Sequence, residues 1–176
     1  SRPPMSSICW QKQTGLCRTG CLVLGPHPEL ESSGKYKGIF FSGVNPCAEE
    51  PLPAGGSCLL GSMNLAQFVQ HPFTPDAAFD FTEFKRCVTI AVRALNDVLE
   101  EGLPLHPLQE QRDSVQQWRQ IGLGIMGLGD MLIKLGLTYG SPEAVAFCHE
   151  IGFAMADTAI AASARLASER GAYDMC

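Results

Sequence analysis

Two stretches of helical periodicity, with a glycine-studded apolar run between them, restrict this chain more than any other feature. Phe84, Val88, Ala91, Val92, Leu95 and Leu99 recur at spacings of three and four, which puts them on one face of a helix. Asp80 stands where an N-cap belongs, Glu83 follows three residues on in the capping-box arrangement, and Gly102 marks the far end. A second long helix is expected from Ser141 and Pro142, suited to N-cap and N1, with Glu143 in the first turn, to Gly171. Its apolar positions include Val145, Cys148, Ile151, Met155, Ala159 and Leu166, and its many alanines allow close approach to a neighbour. Between the two, Arg119 to Met126 reads as a buried strand. It runs through Gly127 into a short helix over Asp130 to Leu135 that Gly136 ends.

The other segments carry weaker signals. Residues 1–36 are rich in Pro, Ser and Gly and form an unassigned, loop-rich segment, set apart from a domain over 37–176. Lys37 to Ser42 has the content of a short strand. Prolines 51 and 53 with glycines 55 and 56 make Glu49 to Ser57 a constrained loop. Gly61 to Val69 could start a short helix near Asn64, and His71 to Asp80 and Leu103 to Gln117 read as connectors.

At 176 residues the chain is long enough for a domain burying roughly 70% of its unfolded surface. Hydrophobic residues make up 45% and charged residues 18%, a dry composition that suits a buried piece of something larger, and the net charge of -5 leaves no basic footprint for nucleic acid. No uninterrupted apolar run approaches the roughly 18 residues a membrane span requires, and the N-terminus lacks a signal pattern, so a cytoplasmic setting without membrane partners is expected. The eight cysteines are then read as reduced thiols rather than a disulfide framework. Cys9, Cys17 and Cys21 lack the second paired half of a zinc site, and no metal ligands are assigned.

The chemistry gathers in Val44 to Leu65, VNPCAEEPLPAGGSCLLGSMNL. Asn45, Cys47 and Glu49 alternate, so in an extended segment all three would face one side and one small ligand could meet them together. The amide both donates and accepts, the carboxylate accepts, and the thiol can serve as nucleophile, metal ligand or redox centre. A buried, inert Cys47 would be the plainer reading of the same spacing. Cys58 follows across the Pro/Gly-rich bend.

This stretch resembles the active-site loop of the ribonucleotide reductase catalytic subunit, and its NPC and GSCLLGS wording is most similar to the adenosylcobalamin-dependent class II enzymes. A second block, RQIGLGIMGLGDMLIKLGLTYGSPEA from Arg119 to Ala144, resembles the same family in the same order. The resemblance implies an α/β fold, part of a ten-stranded α/β barrel that this chain is too short to complete. It implies reduction of the ribose 2'-carbon, with Cys47 as the transient thiyl radical, Glu49 accepting the 3'-hydroxyl proton, and Asn45 with Ser57 and Glu49 at the substrate. Cys58 matches one member of the reducing pair, reopened by an external dithiol such as thioredoxin; no residue here can be carried over as its partner. Also implied are adenosylcobalamin, a ribonucleotide substrate, deoxynucleotide effectors in the full-length protein, and a homodimer. A fragment of the catalytic barrel, inactive alone, is expected.

Two other readings stay open at this point. One is a remnant acting as an assembly module. The other is a nicotinamide-dependent oxidoreductase, since Gly122, Gly124 and Gly127 spell G-x-G-x-x-G. That fingerprint demands an acidic residue ending a second strand about 20 positions on, where this chain has YGSPEA instead. The glycines are more simply read as letting a barrel strand and its following helix pack closely. None of the four histidines is given a role; His149 and Asp157 are expected to be solvated or locally bonded.

Overall fold

The computed structural model describes residues 41–45, 51–57 and 59–174. The chain divides into two compact units, one of Ser1–Cys58, Glu101–Gln120 and Tyr173–Cys176, the other of Leu59–Glu100 and Ile121–Ala172.

In the first unit, β1 (Phe41–Val44) pairs antiparallel with β2 (Pro51–Pro53), Val44 facing Pro51 and Phe41 facing Pro53, with an irregularity between Phe41 and Gly43. The strand expected over Lys37 to Ser42 is therefore seen from Phe41 onward, its earlier residues lying outside those described. The constrained loop expected over Glu49 to Ser57 contains β2: its prolines exclude helix but tolerate the edge of a two-stranded ribbon. The connector expected from Leu103 to Gln117 is a 3-10 turn, Leu103–Leu105, and a helix, α2 (Gln109–Trp118). This helix is polar, buries only Ser114 and Val115, and is supported by an i,i+4 bond from Gln109 to Asp113 at 2.8 Å. Gly55 adopts φ 70, and a Cβ there would stand 2.9 Å from both Cγ and the carbonyl oxygen of Glu110, so only glycine fits between the turn and α2.

The second unit runs strand, helix, strand, helix, helix, with a small ribbon after the first strand. Strand β3 (Leu60–Asn64) leads through a 3-10 turn (Leu65–Phe68) and a two-residue ribbon, β4 (Val69–Gln70) with β5 (Ala78–Phe79), into α1 (Phe81–Gly102). Strand β6 (Gly122–Met126) then pairs parallel with β3, Leu60 opposite Gly122 and Asn64 opposite Met126, as a crossover helix between parallel strands requires. Helices α3 (Leu128–Leu135) and α4 (Pro142–Arg170) follow.

The caps form as the residue types dictate. The Asp80 carboxylate accepts the Glu83 N–H at 2.9 Å, the Ser141 hydroxyl oxygen accepts the Ala144 N–H at 3.1 Å, and Gly136 closes α3 at φ 71. The short helix expected near Asn64 is the 3-10 turn, capped by the Asn64 side chain, while β3 itself replaces the helical start expected from Gly61.

The core joins the buried faces of these elements: Leu65, Phe84, Val88, Met131, Leu132, Ala144 and Ile151 are almost wholly shielded. Phe84 meets Phe68 edge-on at 5.2 Å and Phe79 at 5.4 Å, and Phe147 of α4 reaches Phe79 at 5.9 Å. Burial of a Phe84-sized side chain stabilises by about 1.5–3 kcal/mol. Phe81 meets Phe147 at one end, and Arg93 to Glu169 and Arg170 to Asp97 join the other, so α1 and α4 lie side by side in the same direction.

Two burial expectations change. Strand β6 is not buried: Ile125 is 46% and Met126 53% exposed, because its only strand partner among the described residues is β3. Val145 is 61% exposed; α4 turns Ala144, Ile151, Ala154, Thr158 and Ala162 inward instead. By length and composition alone, α4 is apolar enough to cross a membrane, a test that core helices of large soluble proteins also pass.

Candidate active-site loop

Asn45 directly follows β1 and is buried, 7% exposed, a setting in which an amide side chain must have its hydrogen bonds satisfied. Ser57 follows the turn at Ala54–Gly55, where the Gly56 N–H donates to the Pro53 carbonyl at 3.0 Å, and is half-buried. Cys47, Glu49 and Cys58 lie outside the described residues. Of the five residues singled out by sequence, the structure thus describes Asn45, beyond the Val44–Pro51 end of the ribbon, and Ser57, past its Pro53–Phe41 end.

At the carboxyl ends of β3 and β6 the polar groups are already engaged. Asn64 Oδ1 accepts the Ala66 N–H at 3.2 Å, and a Cβ on Gly127 would fall 2.4 Å from that oxygen. Gly127 also needs its φ of 69, so here glycine is required twice over. Lys134 donates from Nζ to the Ala66 carbonyl at 2.7 Å, tying α3 to the 3-10 turn.

These positions decide the glycine motif. Gly122 and Gly124 are strand residues, paired with Leu60 and Ser62, and only Gly127 adopts positive φ. A dinucleotide fingerprint needs its first glycines in the turn after the strand, so the nicotinamide reading loses its geometry. The close-packing reading applies to Gly127; at Gly124 a Cβ would make only ordinary contacts at 3.9 Å.

Among the described residues no group of three or more His, Cys, Asp or Glu side chains could hold a metal ion. Cys87 and Cys148 are free thiols. Burial pushes the Cys87 thiol up, and its hydrogen bond to Glu83 adds to the shift, the opposite of an activated nucleophile. Glu83 itself is held down to about 2, chiefly by its hydrogen bonds from Arg86 at 2.6 and 2.7 Å. One feature had no sequence signal: a cleft of about 410 Å³ between α1 and α4, lined by Phe81, Lys85, His149, Glu150, Phe153 and Asp157. Those residues come from two helices about forty positions apart, and His149 and Asp157 are exposed, as expected.

Residues 38–175 match the ribonucleotide reductase barrel domain. The chain belongs to that family. The vitamin B12-dependent ribonucleoside-diphosphate reductase of Mycobacterium tuberculosis is 39% identical over 130 residues, covering 74% of this chain and 18% of the relative. The reductase of the same name from Thermoplasma acidophilum is 37% identical over 130 residues, covering 74% of this chain and 16% of its own length. The alpha subunit of the class Id ribonucleotide reductase of Actinobacillus ureae shares the fold, with a TM-score of 0.67 at 22% identity over 81% of this chain and 27% of that one. The family assignment confirms the expected α/β barrel class. Only part of the reductase barrel is present, since the chain spans less than a fifth of the length of these curated relatives.

Proposed function

We propose that this chain carries the active-site loop of a ribonucleotide reductase catalytic subunit and that its chemistry is reduction of the ribose 2'-carbon in the complete protein. The observation that carries the reading is the order Asn45, Cys47, Glu49, Ser57, Cys58 inside the segment matched to the reductase barrel domain. In this reading residues 37–176 form the partial barrel domain, and residues 1–36 stand outside it.

In the proposed reaction Cys47, as a thiyl radical, takes the 3'-hydrogen of the sugar, and Glu49 accepts the 3'-hydroxyl proton. The 2'-hydroxyl then leaves as water with a proton from the thiol pair that includes Cys58, and the pair's other hydrogen goes to the 2'-carbon. Cys58 and a second thiol supply two electrons and close to a disulfide, and an external dithiol of the thioredoxin kind reopens it. Asn45 and Ser57 hold the substrate hydroxyls, and the buried position of Asn45 supports a fixed orientation. The 3'-hydrogen returns from Cys47 at the end, so the radical is regenerated.

Adenosylcobalamin enters the proposal through the B12-dependent relatives and would supply the radical. Deoxynucleotide effectors, a homodimer and a cytoplasmic setting belong to the complete protein in the same proposal.

The test is a chimera in which residues 38–175 replace the matching segment of the Thermoplasma acidophilum relative. Deoxycytidine nucleotide formation is measured anaerobically with adenosylcobalamin and a small dithiol. Turnover is expected in the chimera, none in its Cys47→Ser variant, and none in this chain alone. A chimera that turns over equally well with Cys47→Ser would sink the proposal and favour an assembly role.

A further inference from the structure

Within the first unit, α2 meets the active-site loop at its first turn. A Cβ on Gly55 would stand 2.9 Å from both Cγ and the carbonyl oxygen of Glu110, so the turn that leads to Ser57 rests directly on the helix. Ser114 follows Glu110 by four residues, which puts it on the same side of α2 one turn further on. It is 7% exposed, and among the described residues its hydroxyl has no hydrogen-bond partner. Val115, the other buried residue of α2, lies about 100° further round and offers no polar side-chain atom.

A buried hydroxyl without a bond costs stability, so such a group needs a reason. Inside a helix the usual remedy is to bond the carbonyl four residues back. Thr89 does so with the Lys85 carbonyl at 3.0 Å, and Ser168 with the Ala164 carbonyl at 3.1 Å. For Ser114 the corresponding acceptor is the Glu110 carbonyl, the same oxygen that a Cβ on Gly55 would strike. Ser114 leaves it unused. Its hydroxyl is therefore held out of water, one helical turn from the loop, without the bond that its own helix offers.

We propose that Ser114 is a positioning residue for the ribose reduction, a role that rests on the reductase reading of this loop. When substrate is bound, its hydroxyl takes up a hydrogen bond to the turn between Pro53 and Ser57 and fixes that turn against α2. Ser114 acts through Ser57, whose hydroxyl is the one assigned to the sugar. A hydroxyl suits the task because it both donates and accepts, so it can bond a carbonyl or an N–H of the turn without bringing charge into a buried place. The turn has use for such a fastening. Among the described residues it is closed by a single bond, from the Gly56 N–H to the Pro53 carbonyl at 3.0 Å, and its two glycines contribute no side chains to hold it.

Two measurements on Ser114→Ala test this role. In urea titrations of the full chain the midpoint should stay the same or rise, since the variant removes a buried hydroxyl that has no partner. In the chimera the same variant should lower kcat about tenfold, the worth of one well-placed hydrogen bond, with KM for the nucleotide changed by less than about twofold. Gly55→Ala, which pushes the turn off α2, should give a similar loss, and adding Ser114→Ala to it should cost little more. A lower urea midpoint in Ser114→Ala would make the hydroxyl structural and overturn the proposal. So would an unchanged kcat in a chimera whose turnover depends on Cys47, or full additivity of the two substitutions. A chimera without Cys47-dependent turnover would instead remove the reductase reading, and the role of Ser114 with it.

Discussion

Helices α1 and α4 lie side by side, yet they solve the problem of an apolar surface differently. On α1 the buried residues Phe84, Val88, Val92 and Leu99 share one face, and charged side chains such as Lys85, Arg86, Arg93 and Glu100 take the exposed side. On α4 the buried positions are mostly small, Ala144, Ala154, Thr158 and Ala162 beside Ile151, with Phe147 and Met155 against the core, while Phe153 and Ile160 are exposed. Each helix also leaves apolar side chains uncovered, Ile90 and Val98 on α1 beside Phe153 and Ile160 on α4. The two helices thus bury their shared side with different sizes of side chain, large on α1 and mostly small on α4.

The sharpest way to break this contrast is truncation on each helix. Phe84→Ala should cost about 3–5 kcal/mol in unfolding free energy, because it opens a cavity among Phe68, Phe79 and the buried end of α4. Phe153→Ala should change monomer stability by under about 0.5 kcal/mol, as for other exposed positions. Equal losses in urea titrations of both variants would show that α4 is buried within the single chain. A smaller effect is expected at the joint between β6 and α3. Gly127→Ala should cost about 2–3 kcal/mol through positive φ and the collision with Asn64. Asn64→Ala should partly relieve it in the double variant.

The caps of the two helices provide a finer comparison. Asp80→Ala and Ser141→Ala should each cost about 1 kcal/mol, read from thermal melts, since each removes one side-chain acceptor from a helix start. Smallest of all is the pH effect of Glu83 on α1. Its carboxyl is held down to about 2 by Arg86. The depressed value means that its contribution is present above the ordinary carboxylate range and is lost as pH falls towards 2. The melting temperature of the parent chain should therefore fall more between pH 4.5 and 2 than that of Arg86→Gln, by a modest amount because the pair is exposed.

Both long helices were legible because period, cap and stop signals agree at each: Asp80 with Glu83 and Gly102, Ser141 with Pro142 and Gly171. Strand β3 was not, since Gly61, Ser62 and Asn64 are poor strand formers. Parallel pairing with β6, a tertiary influence, holds them extended. Helix α2 was missed because QEQRDSVQQW has almost no apolar period; local polar bonds and the packing of Glu110 against Gly55 sustain it. Val145 was misplaced because α4 offers two apolar sides and periodicity alone does not say which faces in. The loop chemistry was legible as residue types and order. Its geometry is defined here only at Asn45 and Ser57, with Cys47, Glu49 and Cys58 outside the described residues.

Lys134 has a consequence beyond its single bond. Its ammonium holds the Ala66 carbonyl while its own carbonyl receives the Phe73 N–H at 2.9 Å. One residue at the end of α3 therefore staples two separate points of the connection leading to α1. In hydrogen-exchange terms, that connection and the last turn of α3 should open as one cooperative unit. The Phe73 amide then serves as a clock for unwinding events that begin on a different helix.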